Sequence, residues 1–447
     1  QILYFGVYSK FCAIMLKNKV FLIICISLFT LIWTGCFAQN EISSPYSRYG
    51  IGLVNNTSNM TLASMGNVSY AMQSNDYINF RNPASYVAFD SLSFVGDIAF
   101  NISSIHLKTT ALTQKGTIGR LGYITIGLPV TKHWRTSVGF IPFSDRGYNI
   151  TDVQTLPEIG NVNYKYSGTG GLMQLYWGNA FKLCKGLSFG FNLSYLFGTL
   201  SSTRYEEFGG DYYYNYRIAQ NDYADGIYIQ AGLQYKVNIG EFHKLGIGAV
   251  YENSAYVWMK RNLLVNRYVN EYNSVNTYDT AYAVLNQKGS MRIPQSVGGG
   301  LSYSYKDKLL VGVDVTWQNW QKYSLKWKNS TTAASVDSLK DAIVINAGLQ
   351  FIPDPSSGKF GKNIAFRIGT RFSTGYIQIR DIPISEFSIS AGIGLPFKTF
   401  NSKCSLNLLL EYGSMGNLKN DLIRQNYVKI GLNLVLVERW YQRVKLE

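Results

Sequence analysis

The chain has 447 residues and a formal charge of +15, with only 15% charged residues against 46% hydrophobic ones. Soluble domains carry about 25% charged residues, so a set of ordinary soluble domains fits poorly, and the mature part lacks the long apolar runs of a helical membrane protein. With 34 Tyr, 24 Phe, 42 Gly and only 10 Pro, the composition suits a sheet that faces lipid on one side and water on the other.

Residues 1–14 contain no Met, and Met15 is the expected start. Lys17 and Lys19 form a basic n-region, and Val20 to Trp33 is a nearly unbroken apolar stretch, short for a spanning helix. It runs into Cys36-Phe37-Ala38, with small residues at −3 and −1, which predicts a signal peptide over residues 1–38 cleaved before Gln39. Lipidation of Cys36 is the alternative, although Trp33 stands where a small aliphatic residue is expected. Loss of Lys10, Lys17 and Lys19 leaves a charge of +12. That excess suits anionic lipid or lipopolysaccharide at barrel rims, or simply a solvated surface. Cys184 and Cys404 then remain, far apart in sequence, and imply no disulfide framework.

Residues 39–91 do not alternate cleanly and hold many small and polar residues, among them Ser43-Ser44-Pro45 and Asn55-Asn56. They are expected to form a plug inside a barrel, with a periplasmic tail as the alternative. From Leu92 onward the period is two. Phe189, Phe191, Leu193, Tyr195 and Phe197 lie on one face, against Gly190, Asn192 and Ser194. Val311, Val313, Val315 and Trp317 oppose Gly312, Asp314 and Thr316 in the same way, and Val428, Ile430, Leu432 and Leu434 oppose Lys429, Gly431 and Asn433.

Segments of about ten residues or more match a tilted bilayer crossing, whereas soluble strands average about five or six. Strand edges cannot face lipid unpaired, so such strands must close. About fourteen strands are predicted over 92–447, an all-β transmembrane antiparallel barrel. A bore of that size is wider than wall side chains alone can fill, which favours a plug. Short connections such as Thr131-Lys132 and Asp307 read as periplasmic turns. Residues 145–166, 202–225, 259–290 and 324–336 read as long loops on the extracellular side. Lys236, Asp314, Arg367, Arg371 and Glu411 fall on the predicted lumen face. The 202–225 loop carries Tyr205, Tyr212, Tyr213, Tyr214, Tyr216 and Tyr223, apolar area with polar tips suited to a ligand or partner.

Ala63-Ser64-Met65-Gly66 followed by Asn82-Pro83-Ala84 resembles the N-terminal hatch of FadL-type outer-membrane transporters. Pro294 with Gly298 to Gly300, Asp314 and Trp320, and then Gly392 to Phe397, resemble later strands of that family. Ser44 to Gly50 is similar to the start of uncharacterised Bacteroidota barrels of this group. The resemblance implies a fourteen-stranded barrel with a hatch that includes Gly66, Asn82, Pro83 and Ala84. It also implies uptake of hydrophobic molecules such as fatty acids, with exit sideways through a break in strand pairing. The glycines at 298–300 are places where bulges form, or where another backbone approaches closely.

His106, His133 and His243 are isolated in sequence. Neither a nucleophile elbow, a phosphate loop nor a Cys/His metal cluster is present in the sequence. No enzyme, cofactor, metal or nucleic-acid role is therefore expected. Two functions follow: uptake of hydrophobic or amphipathic small molecules, foremost, and an accessory barrel in an outer-membrane secretion or insertion complex. An apolar pocket would favour the first; a blocked lumen would favour the second.

Overall fold

The computed structural model describes residues 44–447 except 210–212, 272–273, 329–338, 358, 399–401 and 440–447. The signal peptide, Cys36 and Tyr212 therefore lie outside the described residues. Fourteen strands form the wall: β1 Ser93–Lys108, β2 Thr113–Pro129, β3 Trp134–Asp145, β4 Gly160–Lys182, β5 Leu187–Phe208, β6 Asn215–Ile239 and β7 His243–Glu252. Then come β8 Ser296–Tyr305, β9 Leu309–Gln318, β10 Ala342–Phe351, β11 Ala365–Ser373, β12 Glu386–Lys398, β13 Ser402–Met415 and β14 Arg424–Arg439. Each pairs antiparallel with its neighbours in this order. The ring closes between β14 and β1, from Ser93 opposite Arg439 to Lys108 opposite Arg424. Closure removes the edges that lipid could not satisfy.

The alternation decides which face meets lipid. Leu193 and Tyr195 are exposed on the outside while Asn192 and Ser194 are buried inside. Val313 and Val315 oppose buried Asp314 and Thr316, and Leu408 and Leu410 oppose buried Asn407, Leu409 and Glu411. Exposed aliphatic side chains of this kind are stable only because the solvent around them is hydrocarbon.

Most of the predicted long loops are instead strand. Tyr148–Leu156 pairs with the upper part of β4, and the upper halves of β5 and β6 pair together across 202–225. Ala255–Glu271 pairs with Ser274–Ile293, which carries the 259–290 region up as a hairpin. Residues 324–336 begin as the short strand Ser324–Trp327. Their inner face mixes buried apolar residues such as Val257, Met259 and Tyr268 with polar ones such as Asn215 and Asp222, so the clean alternation of a lipid-facing strand is lost and these extensions read as loops.

Above the wall proper, strands break at one another's flanks: at Asn253-Ser254, at Pro294-Gln295 and at the 3₁₀ turn Trp320–Lys322. Gly298 to Gly300 sit in unbroken register with both neighbours and so form no bulge; Gly298 and Gly300 are close-approach positions, facing Tyr70 and Asp314, whereas Gly299 faces outward. A bulge does occur at Gly122, where the β1–β2 register shifts between Ala99 and Phe100.

Residues 44–89 lie inside the ring of strands, and Asp90 to Leu92 emerge from it. Their regular pieces are short: 3₁₀ turns Pro45–Arg48 and Pro83–Ala88, and one helical turn Met60–Ala63. Leu62, Val68, Ile78 and Tyr86 are fully buried. Phe80, Tyr86 and Phe89 pack on Tyr123 and Tyr176 of the wall in one apolar cluster, while Tyr46 and Ile51 join another with Leu196, Met259 and Trp320.

Candidate functional site

The interior contacts begin with the Asn-Pro-Ala triplet. Asn82 caps the 3₁₀ turn, its Oδ1 accepting from the Ala84 amide at 3.1 Å, and Pro83 supplies a preset φ at the first helical position. The other end of the same side chain donates to the Tyr70 carbonyl at 2.6 Å and to the Leu233 carbonyl at 3.3 Å. One residue therefore starts the turn and ties it to β6. The wall has been cleared for it: a Cβ on Gly190 would sit 2.5 Å from the Pro83 carbonyl carbon.

Gly66 plays a matching part across the bore. Its φ of +72° favours glycine, and its amide donates to Ser390 Oγ at 2.9 Å. Gly348 and Gly369 face Met65 so closely that a Cβ on either would fall 2.0–2.1 Å from its backbone. Inward-facing glycines thus form the groove in which residues 44–89 lie.

The candidate lumen charges are placed as follows. Asp314 is fully buried, and its Oδ2 accepts from the amides of Ser69 at 2.5 Å and Tyr70 at 3.0 Å. Arg367 donates to Gln350 at 2.7 Å and Asn407 at 2.9 Å. Arg371 lies 3.7 Å from Glu386, Glu411 lies 3.1 Å from Lys429, and the Tyr427 hydroxyl donates to both acids. These four charges are held by the protein itself. Lys236 is exposed near the short-turn end of β6 and joins none of these networks.

Sequence reading missed Arg81 and Glu252, which pair at 3.4 Å with Gln230 donating to the same carboxylate at 3.0 Å. Glu252 sits at an inward position of an alternating strand, a signal that was available; Arg81 had none. Burial works against the charge on Arg81, but the Glu252 carboxylate and the Tyr70 hydroxyl, which accepts from Arg81 at 3.3 Å, outweigh it and raise its pKa. Burial likewise raises the phenols of Tyr70, Tyr77 and Tyr86, which serve as neutral groups.

The wall has one seam. β2 and β3 pair only from Ile124–Phe140 to Pro129–Arg135, although β2 continues to Thr113 and β3 to Asp145. Above that point the edge of β3 is taken by the N-terminal segment. Leu53 and Val54 pair with Asp145 and Ser144. The Asn55 amide donates to the Phe143 carbonyl at 2.9 Å, and the Ser44 amide to the Gly147 carbonyl at 2.8 Å. Arg146 donates to the Gly50 carbonyl at 2.7 Å, and an Arg120–Asp145 ion pair spans the seam.

Two cavities bear on this arrangement. One, of about 50 Å³, lies beside the seam, where Arg81, Gln174, Gln230 and Glu252 line it together with Phe80 and Pro142. The other, of about 220 Å³, lies beyond the Pro45–Arg48 turn. The tyrosines of 202–225 do not form a loop. Tyr205, Tyr216 and Tyr223 sit in β5 and β6, and Tyr213 and Tyr214 lie exposed at the turn between them.

Three comparisons bear on this arrangement. The model of the BamG family matches residues 15–447. No curated protein matches. Among solved structures, a Pseudomonas aeruginosa FadL homologue is 12% identical with a TM-score of 0.59, covering 87% of this chain and 100% of its own. The P. putida toluene transporter TodX is 12% identical with a TM-score of 0.57, covering 91% and 100%. The CymD monoaromatic hydrocarbon channel is 14% identical with a TM-score of 0.54, covering 86% and 98%. At such identities the likeness concerns fold alone: a closed fourteen-stranded barrel of the outer-membrane FadL type.

Proposed function

Since this chain belongs to the BamG family, we propose that it is a closed FadL-like barrel serving as an accessory subunit of an outer-membrane protein secretion or insertion complex. Residues 44–92 act in this reading as a hatch that stays in place. The observation that carries it is the double closure: the hatch is hydrogen-bonded to the wall on β6, β9 and β12 and also covers the edge of β3. The cavity at the seam, about 50 Å³, is well below the roughly 150 Å³ that admits benzene, and the larger one, about 220 Å³, is lined by three arginines and an aspartate, a poor fit for a hydrocarbon. The lining of the seam cavity is polar as much as apolar, unlike the mostly apolar pockets of small-molecule sites. The family name leans the same way. The hairpins that rise above the wall from Tyr148 to Ile293 offer a partner a broad face rich in Tyr and Arg.

Native mass spectrometry of the protein drawn gently from its own outer membrane tests this. A stoichiometric complex with other envelope proteins is expected. A lipophilic adduct on a solitary barrel would overturn it.

The second reading is uptake of hydrophobic or amphipathic small molecules. The seam between β2 and β3 favours it, because missing strand pairing is where an apolar solute would leave a barrel for the bilayer. In that reading residues 44–55 must first leave the β3 edge.

A further inference from the structure

The larger cavity, about 220 Å³, is built differently from the rest of the bore. Arg48, Arg146 and Arg261 line it, with Asp222 as the acidic residue of the lining. Asp222 is already engaged: Arg261 holds it through Nε at 2.7 Å and Nη2 at 2.9 Å. That leaves two guanidinium charges uncompensated. Arg146 is only 7% exposed, yet among the described residues no carboxylate reaches it within ion-pair distance. It donates through Nη2 to the Gly50 carbonyl at 2.7 Å and lines the cavity with the rest of its guanidinium. Arg48 is exposed and, among the described residues, makes ring contacts with Tyr49 and Tyr166. Met259 and Met291 form an apolar side to the same space.

A buried guanidinium without a counter-charge beside it costs free energy that an anion in the adjacent cavity would offset. The fork geometry of arginine matches tetrahedral and planar oxyanions. Charge separates the two. A carboxylate brings one negative charge, whereas a phosphate monoester brings about 1.5 to 2 at neutral pH and three acceptor oxygens. The volume lies just under the range of drug-sized sites, about 300–1,000 Å³, and suits a ligand of monosaccharide size.

We propose that this cavity binds a phosphate monoester on a sugar-sized skeleton, with Arg146 and Arg48 on the phosphate and the methionines against the carbon frame. Phosphorylated sugars of lipopolysaccharide and soluble sugar phosphates share this chemistry. The site does not depend on whether the barrel serves a complex or a transport role.

The test is isothermal titration calorimetry on the full barrel in phosphate-free detergent, with glucose 1-phosphate as probe and glucuronate as the single-charge control. Saturable binding of glucose 1-phosphate is expected, at least tenfold tighter than glucuronate. It should weaken tenfold or more in Arg146→Gln and several-fold in Arg48→Gln, a substitution at an exposed side chain that leaves the barrel intact. Arg146→Lys keeps the charge but loses the fork and should fall between. Equal binding of both probes, no binding, or indifference to Arg48→Gln and Arg146→Gln would overturn the proposal. Competition by lipopolysaccharide that is lost after its phosphatase treatment assigns the site to that lipid; competition unaffected by the treatment counts against phosphate recognition. Absence of competition assigns it to soluble phosphates.

Discussion

Asp314 shows what a buried charge does in this barrel. Placed on the lumen face by alternation, it is not a ligand site in waiting, because its carboxylate accepts two backbone amides of the segment that fills the bore. Removing it strands the Ser69 and Tyr70 amides in a buried place, where an unmet donor costs about 1–3 kcal/mol. Asp314→Ala is therefore expected to lower the urea concentration at which protease clips residues 44–92, while leaving the wall closed. Asp314→Asn retains an acceptor and should cost less. Protection equal to the parent in the alanine variant would show that the hatch is held elsewhere. The same reasoning covers Glu411, whose carboxylate is spent on Lys429 and Tyr427. Neither residue was readable as a tether from sequence, since the partners of Asp314 lie some 245 positions away.

Among the elements, the Pro83–Ala88 turn and the strands that face it are matched by shape. Gly190 on β5 leaves the space that Pro83 and Ala84 occupy. Overpacking of this kind costs about 1–3 kcal/mol. In Gly190→Val the turn should be pushed from the wall, and planar-bilayer recordings should show larger ion conductance than the parent. Gly299→Val is the control, because its Cβ would point outward with its nearest neighbour at 3.8 Å. Identical conductance in both variants would mean that the bore is closed without this turn. The hairpin extensions carry the opposite lesson. Tyr205 meets buried Tyr268 edge-on, and Arg267 pairs with Asp279, in strands where apolar and polar residues share both faces. Nothing in such a strand forces apolar residues to every second position.

For the molecule as a whole, the outer surface carries the apolar side chains of every wall strand, as a bilayer-facing barrel requires. Leu193 on β5 and Leu432 on β14 belong to outward-facing positions, and an arginine at mid-bilayer depth costs about 2–4 kcal/mol. Leu193→Arg and Leu432→Arg should reduce the fraction of protein that folds into vesicles, read as the heat-modifiable band on a gel. Silence at both sites, with loss at Asn192→Arg or Asn433→Arg taken as given, would invert the assignment of faces or place these residues outside the bilayer. Closure also explains why the segment inside the ring can be so irregular. The fourteen-stranded ring supplies the rigidity, so the 44–89 segment needs only to fill a space whose walls already offer hydrogen-bond partners.

The count of strands, their positions and their lipid face were all present in the order of residues. Each of the fourteen predicted segments has its counterpart, from Ser93–Lys108 to Arg424–Arg439. The reason is that hydrocarbon cannot bond a peptide group or solvate a charge, so it leaves a period-two signature in every crossing strand. The resemblance carried by Gly66 and Asn82-Pro83-Ala84 pointed to the FadL type of barrel, and solved structures of that type share its fold. What only the tertiary structure decided lies inside. That residues 44–55 seal the edge of β3, that Asp314 serves the backbone of Ser69, and that Arg146 is left facing a cavity all depend on closure. Closure brings together residues hundreds of positions apart, and a polar interior accepts many patterns of side chains provided that each finds its partner.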